Sequence, residues 1–547
     1  MIHAKVFLTS LTLLVLLPIY NSQGQEIDTL FDARIYDEFM KHLEYLASDE
    51  LEGRGIGSLG YDRAADYVAA EFANNDLKPL LDSDSYFQGV ALSKLRMKPG
   101  SFHLEVAKGS DLIAAEYGSE VSAVMSPKYL NVDKQQSLVF AGYGNIIPEK
   151  NIDDYAGLDV KGKTVIVALG GPKDIDHPDF GNRNAKFRNA VDRGASGLIL
   201  YYPKAAILQN VIFNKVHGFL SEDLLSLTDT TVVSLVNVDL NPLLFTKKGF
   251  VKDILEVSGL NLKKELKKME NGERVSRILS SDIETSYRLS VDPVASKNII
   301  GLLPGADPEL KNEYIVIGAH LDGLGIGKPV KGDSIYNGML DNCSGVSAIL
   351  SISKAFSQLP NRPKRSIIFI CYTAEETGLL GSSYFATHHG ITDGKIVANL
   401  NIDMLAQTIE TKDMAPLGYS HSTLSEATDF AADQLGLEID DNKKAEFDYI
   451  ERSDQLSFIK KGIPSLFVSA GFTASDPTVN GEKTFTRWMK KIYDSPLDGL
   501  DQKYSDKAFL TALKFNFLTL YYAANSLKEV KWNKEGWLYK KYMADID

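Results

Sequence analysis

Histidine and carboxylate side chains that could bind a metal ion follow apolar or glycine-containing segments in the C-terminal half of the chain. They are His320, Asp341, Glu375, Glu376 and Asp403. Apolar runs rich in β-branched residues are typical of buried parallel strands, whose carboxyl ends lie at one edge of a sheet. Zinc binds histidine nitrogen and carboxylate oxygen, and a two-metal site needs one carboxylate that bridges the ions. We therefore interpret these residues as the metal ligands and the base of a two-metal hydrolase.

Each of these residues, taken alone, has a simpler explanation. A Glu-Glu pair is usually a solvated helix start, and an aspartate at a strand end is usually a turn or cap residue. A single histidine is usually a hydrogen-bonded polar residue. The set favours the metal site because four strand ends of one α/β unit each carry such a residue. Two adjacent glutamates are also useful, since one can bind metal while the other acts as a base.

The apolar pattern predicts alternating strands and helices from about residue 298 onward. The predicted strands are Asn298–Leu303, Tyr314–Ala319, Ser366–Tyr372, Val397–Asp403 and Ser465–Ser469. The predicted helices are Ser344–Gln358, Gly378–His388, Leu424–Leu435, Ser453–Lys461 and Lys507–Ser526. Strands that alternate with helices form a mostly parallel sheet covered on both faces. The sequence therefore predicts an α/β fold with a mostly parallel central sheet between helices.

The chain has 547 residues, too many for a single core. Residues 112–285 read mainly as strands and turns and contain no Asp, Glu and His at ligand spacing. We interpret 112–285 as a separate β-rich module without chemistry of its own. The polar and aromatic tail 530–547 has no predicted function.

The N-terminus has the pattern of a secretory signal peptide. Lys5 precedes the apolar run 6–19, and small and polar residues follow at 21–25. An uncleaved membrane anchor is the alternative, but the run is short for a span. We expect segment 1–24 to be removed and the protein to be exported, periplasmic or extracellular. No later run is apolar enough to span a bilayer, so we expect no stable membrane insertion after cleavage.

Composition limits the partners further. The formal net charge is -13, and the chain has no long Lys/Arg run, which argues against nucleic acid as a partner. The only two cysteines, Cys343 and Cys371, lie in apolar segments. We expect two buried thiols rather than a disulfide. The sequence does not define the oligomeric state.

Six short motifs occur in a fixed order. They are Gly-Ala-His-Leu-Asp at 318–322, Gly-Met-Leu-Asp-Asn-Cys-Ser-Gly at 338–345, Glu-Glu-Thr-Gly-Leu-Leu-Gly-Ser at 375–382, Asn-Ile-Asp-Met at 401–404, Arg-Ser-Asp at 452–454 and Gly-Ile-Pro at 462–464. Together they resemble the secreted co-catalytic zinc aminopeptidases, whose superfamily includes glutamate carboxypeptidase II, glutaminyl cyclase and the transferrin receptor. The motif Glu-Gly-Arg-Gly at 52–55 matches the family's N-terminal loop, although alone it would indicate a flexible connection.

The resemblance also covers the β-rich module. Phe-Ala-Gly-Tyr-Gly at 140–144 and Gly-Ala-Ser-Gly at 194–197 look like parts of a protease-associated domain. In this family that domain is inserted into the catalytic domain and borders its cleft. The resemblance thus implies a zinc-exopeptidase type of catalytic domain in two parts, 25–111 and 286–529, with the insert at 112–285.

The resemblance implies a role for each ligand. Asp341 would bridge two zinc ions, and His320 and Asp403 would complete one metal site. Glu376 would bind the other metal. Glu375 would be the general base that takes a proton from the attacking water and passes it to the leaving amine.

The resemblance also implies roles for residues around the ligands. Asp322 would hold the second ring nitrogen of His320. The peptide bond Asp341–Asn342 would be cis. Tyr493 would hydrogen-bond the developing oxyanion, and its simpler role is that of a packed aromatic residue.

One position departs from the family pattern. The last metal ligand of the family is the His of Tyr-His-x-Pro-x-Asp, whereas this chain has Tyr-Asp-Ser-Pro-Leu-Asp at 493–498. We expect Asp494 to bind the second metal, because a carboxylate is also a hard ligand. It would make that site more tolerant of another divalent metal such as Mn²⁺ or Mg²⁺. The alternative is a weakened or empty second site.

These observations predict an exported metallo-exopeptidase that removes N-terminal residues from peptides. A carboxypeptidase of the glutamate carboxypeptidase type is the first alternative, but it needs an arginine cluster that we cannot place from the sequence. A glutaminyl cyclase uses one zinc ion and lacks the inserted domain. A non-catalytic binding protein that lost its metals is a further alternative, which the retained ligands His320, Asp341 and Asp403 disfavour.

Overall fold

The structure is a computed structural model, and it describes residues 34–80, 84–175, 177–203, 206–221, 223–232, 239–406, 408–441 and 449–543. The chain divides into two compact units, one of Met1–Val90 with Ala295–Asp547 and the other of Ala91–Val294. The predicted signal peptide lies outside the described residues, so export stays a prediction. No helix in the part that the structure describes has the length and apolar character needed to cross a membrane.

The first unit contains a sheet that is mostly parallel. Its described strands, in spatial order, are Glu438–Ile439, Asp413–Leu417, Ser465–Ala470, Lys395–Asn401, Glu313–His320, Ser366–Tyr372 and the 295–303 part of Arg277–Leu303. Four of the six neighbouring pairs are parallel, and the two that involve Asp413–Leu417 with Ser465–Ala470 and Arg277–Leu303 with Ser366–Tyr372 are antiparallel. The predicted α/β fold with a mostly parallel central sheet is confirmed.

Helices cover both faces of this sheet. They are Arg34–Leu46, Leu59–Asn74, Ser344–Ser357, Leu380–Thr387, Ser425–Leu435, Gln455–Ile459, Gly481–Lys491, Asp506–Asn525 and Trp537–Tyr542. Ile315 and Ile317 of strand Glu313–His320 pack in one cluster with residues of Ser344–Ser357 and Asp506–Asn525. Val316, which points to the other face, packs with Phe385 and Phe458. This burial on both faces explains why the strand reads as a continuous apolar run.

Several elements of this unit differ from the prediction. The hairpin of Gly325–Val330 with Asp333–Tyr336 was not predicted. Its first strand is mostly exposed and therefore shows no apolar alternation. Strand Lys395–Asn401 ends two residues before Asp403, which therefore lies in the following loop rather than at the strand end.

Cys343 and Cys371 are buried free thiols, as predicted.

The C-terminal segment, described to residue 543, packs against the rest of the first unit. Leu538 of helix Trp537–Tyr542 is fully buried among Leu417, Ile459 and Phe467. The indole N–H of Trp532 donates a hydrogen bond of 2.8 Å to the carbonyl of Gly462. The aromatic residues of this segment therefore serve to dock it.

The second unit combines a mixed sheet with helices. Its strands are Phe87–Met97, His103–Lys108, Asp111–Ala114, Val121–Ala123, Asn131–Phe140, Ile146–Ile147, Ile152–Asp153, Thr164–Ala168, Gly197–Tyr201, Leu224–Leu227, Leu243–Thr246 and the 277–294 part of Arg277–Leu303, with Phe87–Met97 counted from Ala91. Its helices are Pro148–Lys150, Pro178–Phe180, Arg183–Asp192, Ala206–Ser221, Lys248–Val257 and Leu262–Glu270.

This unit extends beyond the predicted module 112–285 at both ends. The pairing of His103–Lys108 with Arg277–Leu303 joins residues before 112 to the same sheet. Strands Asn131–Phe140, Thr164–Ala168 and Gly197–Tyr201 are parallel neighbours, and helix Arg183–Asp192 connects the last two. The unit therefore contains more helix than the prediction of a β-rich module. Its identification as a protease-associated domain stays a prediction.

His42 gives the first unit a pH-dependent stability. The imidazole is buried in helix Arg34–Leu46, and its Nδ1 lies 2.7 Å from the Tyr67 hydroxyl. Burial, with a smaller contribution from the charge of Lys41, lowers the pKa of His42 to about 4. An unfolded histidine has a pKa of about 6.5, so below that pH protons bind the unfolded chain preferentially. The free energy of unfolding should fall as the pH drops from about 6.5 to about 4, by up to about 3 kcal/mol.

Denaturation of the wild type and of His42→Gln at pH 7 and pH 5 measures this effect. Glutamine keeps a hydrogen-bonding partner for Tyr67 but does not titrate. The wild type should lose about 2 kcal/mol more than the variant between these pH values. Equal losses in both proteins would show that His42 is not the titrating group.

Candidate metal centre

His320 directs one ring nitrogen at two carboxylates. It ends strand Glu313–His320 and is buried, and its Nδ1 lies 3.0 Å from the backbone carbonyl oxygen of Asp322. Because a carbonyl oxygen can only accept, Nδ1 carries the hydrogen. Nε2 lies 3.2 Å from Oδ1 of Asp341 and 3.4 Å from Oδ1 of Asp403.

These three residues form a group of potential metal ligands. One ligand atom from each of His320, Asp341 and Asp403 lies within 4.8 Å of the other two. Within the described part of the chain, His320 Nε2 and Asp403 Oδ1 make no hydrogen bond despite being buried. Buried polar atoms are normally paired or bound to a metal. Imidazole nitrogen with carboxylate oxygen is a donor set that zinc accepts, so the residues fit a divalent metal.

The electrostatics of the group also favour a bound cation. Burial, together with repulsion from Asp403, raises the pKa of Asp341 to about 7. Burial also raises the pKa of Glu376 well above its usual value, with Asp341 contributing. Burial lowers the pKa of His320, but the negative charges of Glu375 and Asp403 raise it by more. A cation placed among these carboxylates would relieve their mutual repulsion.

Asp341 sits in an irregular segment between the hairpin and helix Ser344–Ser357. Gly338 precedes it with φ 60°, and the Asp341–Asn342 peptide bond is cis, as the resemblance implied. The backbone N–H groups of Leu340 and Asp341 donate to the carboxylate of Asp498 at 3.0 Å. The aspartate is therefore held through its own backbone.

Asn342 ties this segment to the loop that carries Asp403. Its side-chain N–H donates to the carbonyl of Ile402 at 3.0 Å, and its side-chain oxygen accepts the N–H of Met404 at 3.2 Å. These two residues flank Asp403 in the chain. Burial raises the pKa of Asp403, but His320 lowers it by more, so the net pKa lies below the usual value.

The carboxylate of Asp322 acts on the glutamate pair rather than on the ring of His320. Its Oδ1 is 3.9 Å from Nδ1 of His320, too far for a hydrogen bond. It instead accepts the backbone N–H of Glu375 at 3.1 Å and that of Glu376 at 3.2 Å. The resemblance implied that the Asp322 carboxylate holds the second ring nitrogen of His320, whereas Asp322 holds it through its backbone carbonyl oxygen.

Two further predicted ligands, Glu376 and Asp494, lie along a small pocket that Asp341 also lines. Its lining consists of Leu324, Tyr336, Gly338, Asp341, Glu376, Asp494, Ser495 and Asp498. Among the described residues, Glu376 and Asp494 do not join a second group of three ligands as close as the first. Burial raises the pKa of Tyr493, and the charges of Asp341 and Asp494 raise it further. Tyr493 thus stays protonated beside the carboxylates and can donate a hydrogen bond.

Three buried residues around the site had no role predicted from the sequence. Arg54 donates from Nε to the carbonyl of Leu321 at 2.9 Å and from Nη1 to that of Asn337 at 2.6 Å. It thereby joins the loops that follow His320 and precede Asp341. The motif Glu-Gly-Arg-Gly is consequently a packed connection rather than a flexible one. At Gly53 a Cβ would lie 2.6 Å from the Gly325 carbonyl oxygen.

Asp498 and Asp454 are the other two buried residues without a predicted role. Both are buried and both belong to motifs quoted above, which was the signal available in the sequence. Neither carboxylate oxygen of Asp454 has a hydrogen-bond partner among the described residues. Burial raises the pKa of Asp454 to about 7, and its charge acts on Glu375.

Comparison with known proteins agrees with this geometry. Residues 298–520 match the model of Peptidase family M28. The chain is 29% identical to a probable leucine aminopeptidase 2 of Aspergillus oryzae over 231 residues, which are 40% of this chain and 42% of that protein. It is 31% identical to leupeptin-inactivating enzyme 1 of Streptomyces exfoliatus over 179 residues, 32% of this chain and 36% of that protein.

The chain thus spans about two fifths of the length of these curated relatives. Among solved structures, an aminopeptidase from Aneurinibacillus sp. strain AM-1 aligns with a TM-score of 0.48 and 20% identity, over 92% of this chain and 97% of that chain. The family match contains all the residues of the metal-ligand group and its neighbouring pocket. Residues 298–520 are therefore similar to Peptidase family M28, and this part of the chain includes the ligand group and its neighbouring pocket.

Proposed function

We propose that this chain is a zinc aminopeptidase that hydrolyses the N-terminal residue from peptides. The observation that carries the proposal is the charge of the pocket beside the ligand group. Four of its eight lining residues are carboxylates, and none of the eight is lysine or arginine. An acidic pocket favours the ammonium group of a free peptide N-terminus over the carboxylate of a C-terminus.

The metal would not reverse this preference. The proposed site contains five carboxylates, those of Asp341, Glu375, Glu376, Asp403 and Asp494. Two divalent ions would bring four positive charges against these five negative ones. The site would stay negative, because Asp494 replaces the neutral histidine of the family pattern. A carboxypeptidase would need a cation here for its substrate, and the described lining residues offer none.

The chain's own residues supply two metal positions in this proposal. His320 and Asp403 would hold one ion together with Asp341, and the close approach of their ligand atoms supports that assignment. Glu376 and Asp494 would hold the second ion with Asp341, which is supported by their common pocket. With its extra carboxylate, the second position would also accept Mn²⁺ or Mg²⁺. When bound, zinc lowers the pKa of water and polarises a carbonyl group.

Glu375 is the proposed general base. It follows strand Ser366–Tyr372, and its backbone is fixed by Asp322. Burial raises the pKa of Glu375 well above its usual value, while the positive charge of His320 lowers it. A carboxylate of raised pKa can take a proton from water and return it to the leaving amine. Tyr493, protonated beside the site, would donate a hydrogen bond to the developing oxyanion.

Hydrolysis of paired substrates tests the proposal. The panel contains aminoacyl anilides with a free amine, the same compounds with an acetylated amine, and N-blocked dipeptides with a free C-terminal glutamate. The free amine should raise kcat/KM by about 100-fold or more, because a site built for an ammonium rejects the neutral amide. Preferential cleavage of the blocked dipeptides would favour the carboxypeptidase alternative and contradict the proposal.

A further inference from the structure

Asp498 binds three consecutive backbone amides of the segment that carries Asp341. Its carbonyl oxygen accepts the N–H of Met339 at 2.9 Å. Its carboxylate accepts the N–H of Leu340 at 3.0 Å through Oδ1 and that of Asp341 at 3.0 Å through Oδ2. Met339 and Leu340 are themselves buried. Water therefore cannot replace these bonds without rearranging the segment.

Other contacts hold the ends of the segment, since Arg54 donates to the carbonyl of Asn337 and Asn342 bonds to Ile402. The segment is not part of a regular helix, since Asp341 and Asn342 have non-helical backbone angles. Hydrogen bonds from backbone N–H groups to a charged carboxylate are stronger than those to a neutral acceptor. The backbone that carries the Asp341 side chain is thus held at Leu340 and Asp341 by the Asp498 carboxylate.

Asp498 also lies four residues after Asp494. A compact turn separates them, in which the N–H of Asp498 donates to the carbonyl of Ser495 at 3.1 Å. The Ser495 hydroxyl accepts the N–H of Leu497 at 3.3 Å. One short stretch of chain therefore carries both a proposed metal ligand and the group that fixes the bridging ligand. All three aspartates line the same pocket.

Asp498 is not itself available as a ligand. Both of its oxygens already accept backbone amides, and the Gln502 side chain also donates to Oδ1. The positive charge of buried Arg54 acts on it in addition. Asp498 therefore lines the pocket, but both of its carboxylate oxygens are already engaged in hydrogen bonds.

We propose that Asp498 is a positioning residue that places Asp341 between the two metal positions and keeps Asp494 in register with it. The inference rests on the two-metal function proposed above. It predicts that loss of the Asp498 carboxylate weakens the second metal position more than the first, because His320 and Asp403 are held by other contacts.

Zinc titration of the metal-free protein tests the inference, with a chromogenic chelator as competitor. Asp498→Asn keeps the side-chain size but replaces one acceptor oxygen by an NH₂ group. Its second zinc should bind about 10–100-fold more weakly than in the wild type. Asp413→Asn is the matched control, since Asp413 is also buried and accepts the N–H of Thr473 at 2.9 Å, but its strand is two away from strand Lys395–Asn401, which precedes Asp403. Its zinc affinities should match the wild type.

The outcomes separate the two proposals. A wild type that binds only one zinc contradicts the two-metal function. A wild type with two zinc ions and an unchanged Asp498→Asn contradicts the role of Asp498 alone. If Asp498→Asn does not fold, the same titration of Gln502→Ala decides: weaker second binding supports the role, and wild-type affinity overturns it.

Discussion

Replacement of Glu375 by glutamine should lower kcat by about 100- to 10,000-fold, the usual contribution of a general base. Glutamine has the same size but cannot take a proton from water. The backbone N–H of residue 375 would still bind Asp322, so the loop should keep its course. Zinc content should not change, because Glu375 is outside the group of ligands around His320.

Turnover of a free-amine substrate by Glu375→Gln, together with elemental analysis of the same sample, measures this effect. Glu52→Gln provides a control for the loss of one glutamate in a loop of the same unit, and it should keep wild-type kcat and zinc content. A Glu375→Gln protein with full zinc and a kcat within a few-fold of the wild type would exclude Glu375 as the base.

Replacement of Asp494 by alanine should reduce the zinc content from two ions per chain to about one. Asp494 is the one predicted ligand that departs from the family pattern, and it lines the pocket with Asp341 and Glu376. Loss of its carboxylate leaves the second position with two protein ligands, too few for a stable zinc site. The first position, with His320, Asp341 and Asp403, should remain filled.

Elemental analysis after dialysis against a weak chelator measures the ratio. Asp501→Ala removes an exposed carboxylate seven residues further along and should keep both ions. An Asp494→Ala protein that also keeps both ions would show that Asp494 is not a ligand. Histidine at this position, Asp494→His, should retain two zinc ions and reduce binding of Mn²⁺ or Mg²⁺.

The residues brought together by the sheet could be predicted because burial leaves a clear sequence pattern. Strands Glu313–His320 and Ser366–Tyr372 are buried on both faces, so they read as apolar runs. A histidine or carboxylate directly after such a run stands out. Parallel pairing of Ala319 with Cys371 then sets the ends of these strands side by side.

The contacts that hold the ligands could not be predicted in the same way. Asp322 and Asp498 each bind backbone amides, and every residue except proline offers the same N–H group. The sequence therefore does not record which amide a carboxylate will bind. The hydrogen bonds of Arg54 could not be predicted for a related reason, since its partners are backbone carbonyls in distant loops.

Elements without an apolar period were also missed. Strand Gly325–Val330 is mostly exposed, so no alternation marks it. The edge strand Glu438–Ile439 has two residues, too few to show a period. The role of Asp494 at the second metal position could not be predicted from the sequence for a different reason. Asp494 is exposed, and its residue type does not distinguish a metal ligand from a surface carboxylate.

The proposed catalytic centre of this chain holds two metal ions with Asp341 between them. Anomalous diffraction at the zinc edge, from crystals of the full protein grown with Zn²⁺, would locate these ions. We expect two peaks about 3.5–4 Å apart, one beside His320 and Asp403 and one beside Glu376 and Asp494, with Asp341 contacting both. A single peak, or a second peak that Asp494 does not contact, would rule out this centre.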